Sequence, residues 1–139
     1  MPGDIHSPVR ILSAEDLPIV REILRFGLTR LGHEVEFAVN GAEALAKLQG
    51  RHFDLVLMDV QMPLMDGVEA TRRIRQLPAP LHDIPVIGLT SDVSVADLRA
   101  YASAGMNECL AKPIDWPRLA DAISRYCGHH SLTRPRRTA

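Results

Sequence analysis

Asp54-Leu55-Val56-Leu57-Met58-Asp59-Val60-Gln61-Met62-Pro63-Leu64-Met65-Asp66-Gly67 is the stretch on which the fold turns. Its first half is a nearly continuous apolar run, begun at Phe53 and ended abruptly by Asp59. A short run of this kind is expected of a strand buried on both faces of a parallel sheet. A second such run, Ile84-Val86-Ile87-Leu89, ends at Thr90 and Ser91. Working outward, Val9-Ile11-Leu12 is followed by Glu15 and Asp16, and Cys109-Leu110 is followed by Lys112. Val35-Phe37-Val39 alternates with Glu34, Glu36 and Ala38, the pattern of an edge strand with one wetter face.

Helix-period segments separate these runs. Val20, Ile23, Leu24, Leu28 and Leu31 are expected on one face of the first, with Pro18 near its start and Gly32 at its stop. Ala42 to Leu48, closed by Gly50, is the second. Val68, Thr71, Arg72 and Arg75 belong to a third that ends before Pro78. Val95 to Ala104, stopped by Gly105, is the fourth. Trp116 to Tyr126 is the fifth, with Asp115 as N-cap, Pro117 in the first turn, and Leu119, Ala122, Ile123 and Tyr126 facing inward. Strand and helix thus alternate five times, which predicts an α/β doubly wound fold with helices on both faces of a parallel sheet. One domain is expected over residues 8–127, between a flexible N-terminus at 1–7 and a flexible basic tail at 128–139.

Composition narrows the functional classes. The chain has 139 residues, 46% of them hydrophobic, enough for one substantial core. Sixteen basic and 17 acidic residues leave a formal charge of -1, so no general attraction to nucleic acid or anionic lipid is expected. Only Arg134-Pro135-Arg136-Arg137 is locally basic, and it reads as a solvated end. Cys109 and Cys127 suggest neither a disulfide framework nor a zinc site. No apolar run approaches the roughly 18 residues of a membrane span, and the N-terminus lacks signal-peptide character. The expectation is a soluble cytoplasmic protein.

The chemistry-bearing residues all follow predicted strands. In an open parallel α/β sheet, ligands bind beyond the carboxyl ends of the strands, so Glu15, Asp16, Asp59, Thr90, Ser91 and Lys112 should meet at one rim. Clustered carboxylates repel one another unless a cation intervenes. Magnesium suits them, with the Gln61 backbone carbonyl as a further oxygen ligand. Lys112 and Thr90 can then hold phosphoryl oxygens, and an ionised carboxylate can act as nucleophile. Each residue alone has a bland reading as a helix cap, a local backbone contact or a surface charge. Their joint placement at four strand ends outweighs those readings.

At this point the chain resembles a response-regulator receiver domain of two-component signalling, over roughly residues 8–127. The stretch quoted first is very similar to the family's phosphoacceptor motif, and Ile11-Leu12-Ser13-Ala14-Glu15-Asp16-Leu17-Pro18 resembles its acidic-pair motif. Asn40-Gly41-Ala42-Glu43-Ala44-Leu45 matches a recurrent element, Gly88-Leu89-Thr90-Ser91 resembles the switch-threonine segment, and Ala104 to Pro113 the lysine segment. The resemblance implies a flavodoxin-like (βα)5 three-layer sandwich with strand order 2-1-3-4-5. It implies Asp59 as phosphoacceptor, served by a histidine kinase or histidine phosphotransfer protein. It implies magnesium, or manganese, held by Glu15, Asp16, Asp59 and the Gln61 carbonyl. Thr90, Ser91 and Lys112 would form the phosphoryl-binding and switch set, with a cis bond before Pro113. An unidentified downstream protein would read the phosphorylated state or take the phosphoryl group onward.

Three positions depart from the pattern. Glu15 stands where Asp is frequent, and Leu17 where a polar residue is common. Cys109 stands where the family frequently has an inward-turning Tyr or Phe, which leaves the threonine–aromatic coupling without its aromatic partner. Receivers with this phosphoacceptor wording are often parts of hybrid histidine kinases, whereas Met1 favours a single-domain regulator. The rival from another class is a phosphorylation-independent interaction module of the same fold. A magnesium-dependent phosphatase is disfavoured because Gln61, not a second acid, stands two residues after Asp59. Flavin binding is weaker still, since the loop after the first strand is acidic and carries Pro18.

Overall fold

A computed structural model describes residues 8–128. The expected flexible ends lie outside these residues, apart from Gly128, which closes the last helical turn. The elements run β1 (Arg10–Ala14), α1 (Pro18–Arg30), β2 (Glu34–Ala38), α2 (Gly41–Gly50), β3 (Leu55–Asp59), α3 (Gly67–Ile74), β4 (Val86–Thr90), α4 (Val95–Ala104), β5 (Glu108–Ala111) and α5 (Trp116–Ile123). A short 3-10 turn, Leu81–Asp83, precedes β4, and a π-helical turn, Ser124–Gly128, extends α5. All five strands are parallel, in the order β2-β1-β3-β4-β5. The strand order reverses between β1 and β3, the place where this class of sheet opens a crevice.

Strand pleating divides the core into two layers. Leu55 and Leu57 of β3 face one side with Leu24 and Leu28 of α1 and Leu119, Ala122 and Ile123 of α5. Val56 and Met58 face the other, with Ala44 and Leu48 of α2, Ala70 and Ile74 of α3, and Tyr101 of α4. Alternate residues of one strand therefore serve opposite layers, and both must be apolar. That is why β3 and β4 are buried at all five positions, whereas edge strand β2 buries only Ala38.

The helix ends follow local chemistry. Asn40, Asp66, Ser94 and Asp115 each accept a hydrogen bond from a backbone N–H in the first turn of their helix. Gly105 ends α4 with φ 113°, a left-handed conformation that disfavours a side chain.

The expected inner face of α1 needs correction. Leu24 and Leu28 are buried and Val20 packs at the margin, but Ile23 and Leu31 are exposed. Ile23 is one residue from Leu24, about 100° around the helix, and so falls on the flank. There it joins Ile19 and Phe26 in an exposed apolar stripe at i, i+4 and i+7.

Candidate functional site

The carboxyl ends of β1, β3, β4 and β5 each deliver one part of the site. β1 ends at Ala14, so Glu15 comes next, its backbone N–H donating to the Ala38 carbonyl at 2.9 Å. β3 ends on Asp59 and β4 on Thr90. β5 ends at Ala111, so Lys112 follows, its backbone N–H donating to the Thr90 carbonyl at 2.8 Å. The parallel ladder holds these ends level: β1 pairs Ala14 with Met58, β3 pairs Asp59 with Leu89, and β4 pairs Thr90 with Ala111.

Glu15 and Asp59 are almost completely buried, and Asp16 is half-buried beside them. One carboxylate oxygen from each of the three lies within 4.8 Å of the others. Lys112 Nζ donates to Asp59 Oδ1 at 3.1 Å and stands 3.6 Å from Glu15 Oε1. The Gln61 backbone N–H also donates to Asp59 Oδ1, at 3.2 Å. The Gln61 side chain reaches sideways, accepting from Ser91 Oγ at 3.2 Å. The Lys112–Pro113 peptide is cis.

Burial raises the Glu15 pKa, with the neighbouring Asp59 charge as the next cause. Burial also raises that of Asp59, opposed by the Lys112 charge and its hydrogen bond. One ammonium therefore does not offset the desolvation of two carboxylates. Glu15 Oε1 makes no hydrogen bond although it is buried. An anionic oxygen without a hydrogen bond, beside two further carboxylates, fits a hard divalent cation such as magnesium.

These directions give a testable pH dependence. In the unfolded chain Glu15 and Asp59 ionise at ordinary carboxylate values, about 4. The folded protein holds their protons to higher pH, so between the two values the native state binds more protons, and stability falls as pH rises. Thermal denaturation in EDTA should therefore show a decline in Tm above about pH 4 from this pair. Glu15→Gln is expected to flatten the decline. Parallel pH profiles for the two proteins would contradict it.

Thr90 is fully buried, and its hydroxyl turns towards α4. It accepts from the Asp92 N–H at 3.0 Å, and lies 3.3 Å from the Asp92 carbonyl and 3.5 Å from the Tyr101 hydroxyl. The Tyr101 contact was invisible in the sequence, which singles out no residue within α4. Cys109 is half-buried beside Met106 and Tyr101, and burial pushes its thiol up to about 11. Leu17 is exposed. Among the described residues, no helix is long and apolar enough to cross a membrane.

Residues 11–124 match the model of the response regulator receiver domain. The chain is 39% identical over 124 residues to the sensor protein EvgS of Escherichia coli K12, covering 89% of this chain and 10% of that protein. It is 36% identical over 132 residues to the sensor histidine kinase RcsC of Salmonella typhi, covering 95% of this chain and 14% of that protein. It thus spans only a small part of these curated relatives. Among solved structures, Vibrio cholerae chemotaxis protein CheY4 superposes with TM-score 0.79 at 30% identity, covering 86% of this chain and 99% of that one. The receiver domain of a Pseudomonas aeruginosa sensor histidine kinase superposes with TM-score 0.79 at 32% identity, covering 86% of this chain and 98% of that one. That neighbour has a magnesium ion coordinated in its active-site cleft. Sequence, strand order and the rim that joins Asp59 to Lys112 agree, and this chain belongs to the response regulator receiver domains of two-component systems.

Proposed function

We propose that this domain accepts a phosphoryl group on Asp59 from a phosphohistidine protein, in a magnesium-dependent reaction, and presents the change to a partner or passes the group on. The observation that carries the reading is the Lys112 ammonium lying against two buried carboxylates, with Asp16 alongside. An Asp59 carboxylate oxygen attacks phosphorus, the phosphorus–nitrogen bond to the donor imidazole breaks, and the electron pair leaves with the imidazole. Lys112 transfers its hydrogen bond from Asp59 to a phosphoryl oxygen, and Thr90 donates to another. Bound by Glu15, Asp16, Asp59 and the Gln61 carbonyl, magnesium would offset the charge of the incoming phosphoryl group. Ser91 and Gln61 are joined by a hydrogen bond beside the site. Incubation with acetyl phosphate and magnesium, read by intact mass, tests the chemistry. Failure to label would refute it. A phosphorylation-independent role finds no support in a site whose chemical groups are all assembled.

The surroundings favour a protein donor. Leu17, Val39, Leu64 and Val93, one from each loop after β1 to β4, are exposed. Their loops share the rim that carries the site, and Leu17 directly precedes α1, which bears the Ile19, Ile23 and Phe26 stripe. Exposed apolar surface of this extent marks a contact site. Histidine kinases, named among the relatives, are the donor class this supports, and their ATP-dependent chemistry makes the cytoplasm the proposed setting. Phosphotransfer profiling should identify a histidine phosphotransfer protein or kinase that labels Asp59. Phe26→Asp is then expected to slow that transfer about tenfold, the effect of losing a central apolar contact. Labelling by acetyl phosphate should be unchanged, because Phe26 is 68% exposed and outside the site.

A further inference from the structure

We propose that Tyr101 is a positioning residue, its hydroxyl holding the Thr90 side chain in the resting orientation and tying that orientation to the start of α4. The inference rests on Asp59 being the phosphoacceptor.

Thr90 Oγ1, the Asp92 carbonyl and the Tyr101 hydroxyl form a closed triangle. Thr90 Oγ1 is 3.3 Å from Asp92 O and 3.5 Å from Tyr101 Oη, and Tyr101 Oη donates to Asp92 O at 3.3 Å. All the hydrogen bonds of the Thr90 hydroxyl go to Asp92 and Tyr101. A phosphoryl oxygen on Asp59 that takes the Thr90 proton must therefore break this triangle. Two hydroxyl protons serve its three sides, all long for O–H···O bonds, so the hold on Thr90 is weak and readily exchanged.

Tyr101 is also the main attachment of α4. Only Tyr101 and Ala104 of that helix are buried. Asp92 lies two residues before Ser94, the α4 N-cap. Releasing the Thr90 hydroxyl thus removes one contact from a backbone carbonyl at the entry to α4 and one from the hydroxyl of its principal buried side chain, which then keep only their bond to each other.

The core layer that holds Tyr101 has soft packing beside β4. Gly88 leaves a gap on β4, filled by Met106 and Cys109: a Cβ on Gly88 would lie 2.6 Å from Met106 Sδ and 2.9 Å from Cys109 Sγ. Cys109, paired with Gly88 across the ladder, supplies no ring from β5. The aromatic ring in contact with Thr90 comes instead from α4. Met106 and Cys109, which belong to or pack against the same core layer as Tyr101, carry sulfur, which repacks at little cost.

The test uses the whole chain labelled with 3-fluorotyrosine. The Tyr101 resonance is the one that persists in Tyr126→Phe, since these are the two tyrosines. Saturating beryllofluoride with magnesium, and separately acetyl phosphate with magnesium, is expected to shift it. Tyr101→Phe keeps the ring and removes only the hydroxyl. It should bind beryllofluoride roughly three- to tenfold more tightly, the equivalent of one weak hydrogen bond released from the resting state. An unmoved Tyr101 resonance in protein shown by intact mass to be phosphorylated overturns the proposal. So does a Tyr101→Phe affinity equal to wild type. Wild-type protein that takes no label refutes the phosphoacceptor reading itself, and the inference with it. The fluorine readout needs no altered residue 101, so it decides the matter even where Tyr101→Phe folds poorly.

Discussion

Asp59→Asn is expected to reduce phosphoryl labelling by acetyl phosphate to background, while raising Tm in metal-free buffer. The amide has no anionic oxygen to attack phosphorus, and no other group takes its place. Glu15 and Asp16 both lie in the loop after β1, so neither occupies the position where Lys112 Nζ and the Gln61 N–H converge. The gain in stability follows from the same site. Burial raises the Asp59 pKa despite Lys112, so the fold opposes its charge, and a neutral side chain of the same shape relieves that cost. Glu15 loses its repulsive neighbour as well. Intact mass measures the first effect and thermal denaturation in EDTA the second. Undiminished labelling of Asp59→Asn would move the phosphoacceptor elsewhere. An unchanged Tm would mean that Lys112 already balances the pair.

Gly67→Ala is expected to destabilise the protein by about 3 kcal/mol, near the upper end of the range for overpacking a core. Gly67 opens α3, and its N–H donates to the Val60 carbonyl at 2.9 Å. A Cβ there would lie 2.3 Å from the Asp59 carbonyl oxygen, 2.8 Å from Met58 Cγ and 2.9 Å from Val60 Cα. Two of these neighbours are backbone and cannot turn aside. The loop must open, which displaces Asp59 from Lys112, so labelling should slow along with the loss of stability. Urea denaturation measures the first and acetyl phosphate labelling the second. Gly50→Ala is the control, because a Cβ on Gly50 meets nothing within 4 Å. Equal stability of the Gly67 and Gly50 variants would show that the loop adjusts.

The sequence by itself determined the alternation of elements, the doubly wound class and the rim on which Glu15, Asp16, Asp59, Thr90 and Lys112 lie. It could do so because these signals are local. A strand buried on both faces must be apolar throughout, as Leu55 to Met58 are. A chemical residue just past such a strand is carried to the carboxyl edge whatever its partners. Only the tertiary structure decided which face of α1 is buried, because Ile23 and Leu24 are equally apolar and differ only in what lies opposite them. Only it showed that Glu15 is buried with one oxygen lacking a hydrogen bond, and that the Thr90 hydroxyl lies 3.5 Å from that of Tyr101. Desolvation and side-chain contact are relations between residues from separate elements. Thr90 and Tyr101 lie eleven positions apart, and the two hydroxyls meet only because α4 folds back over the end of β4.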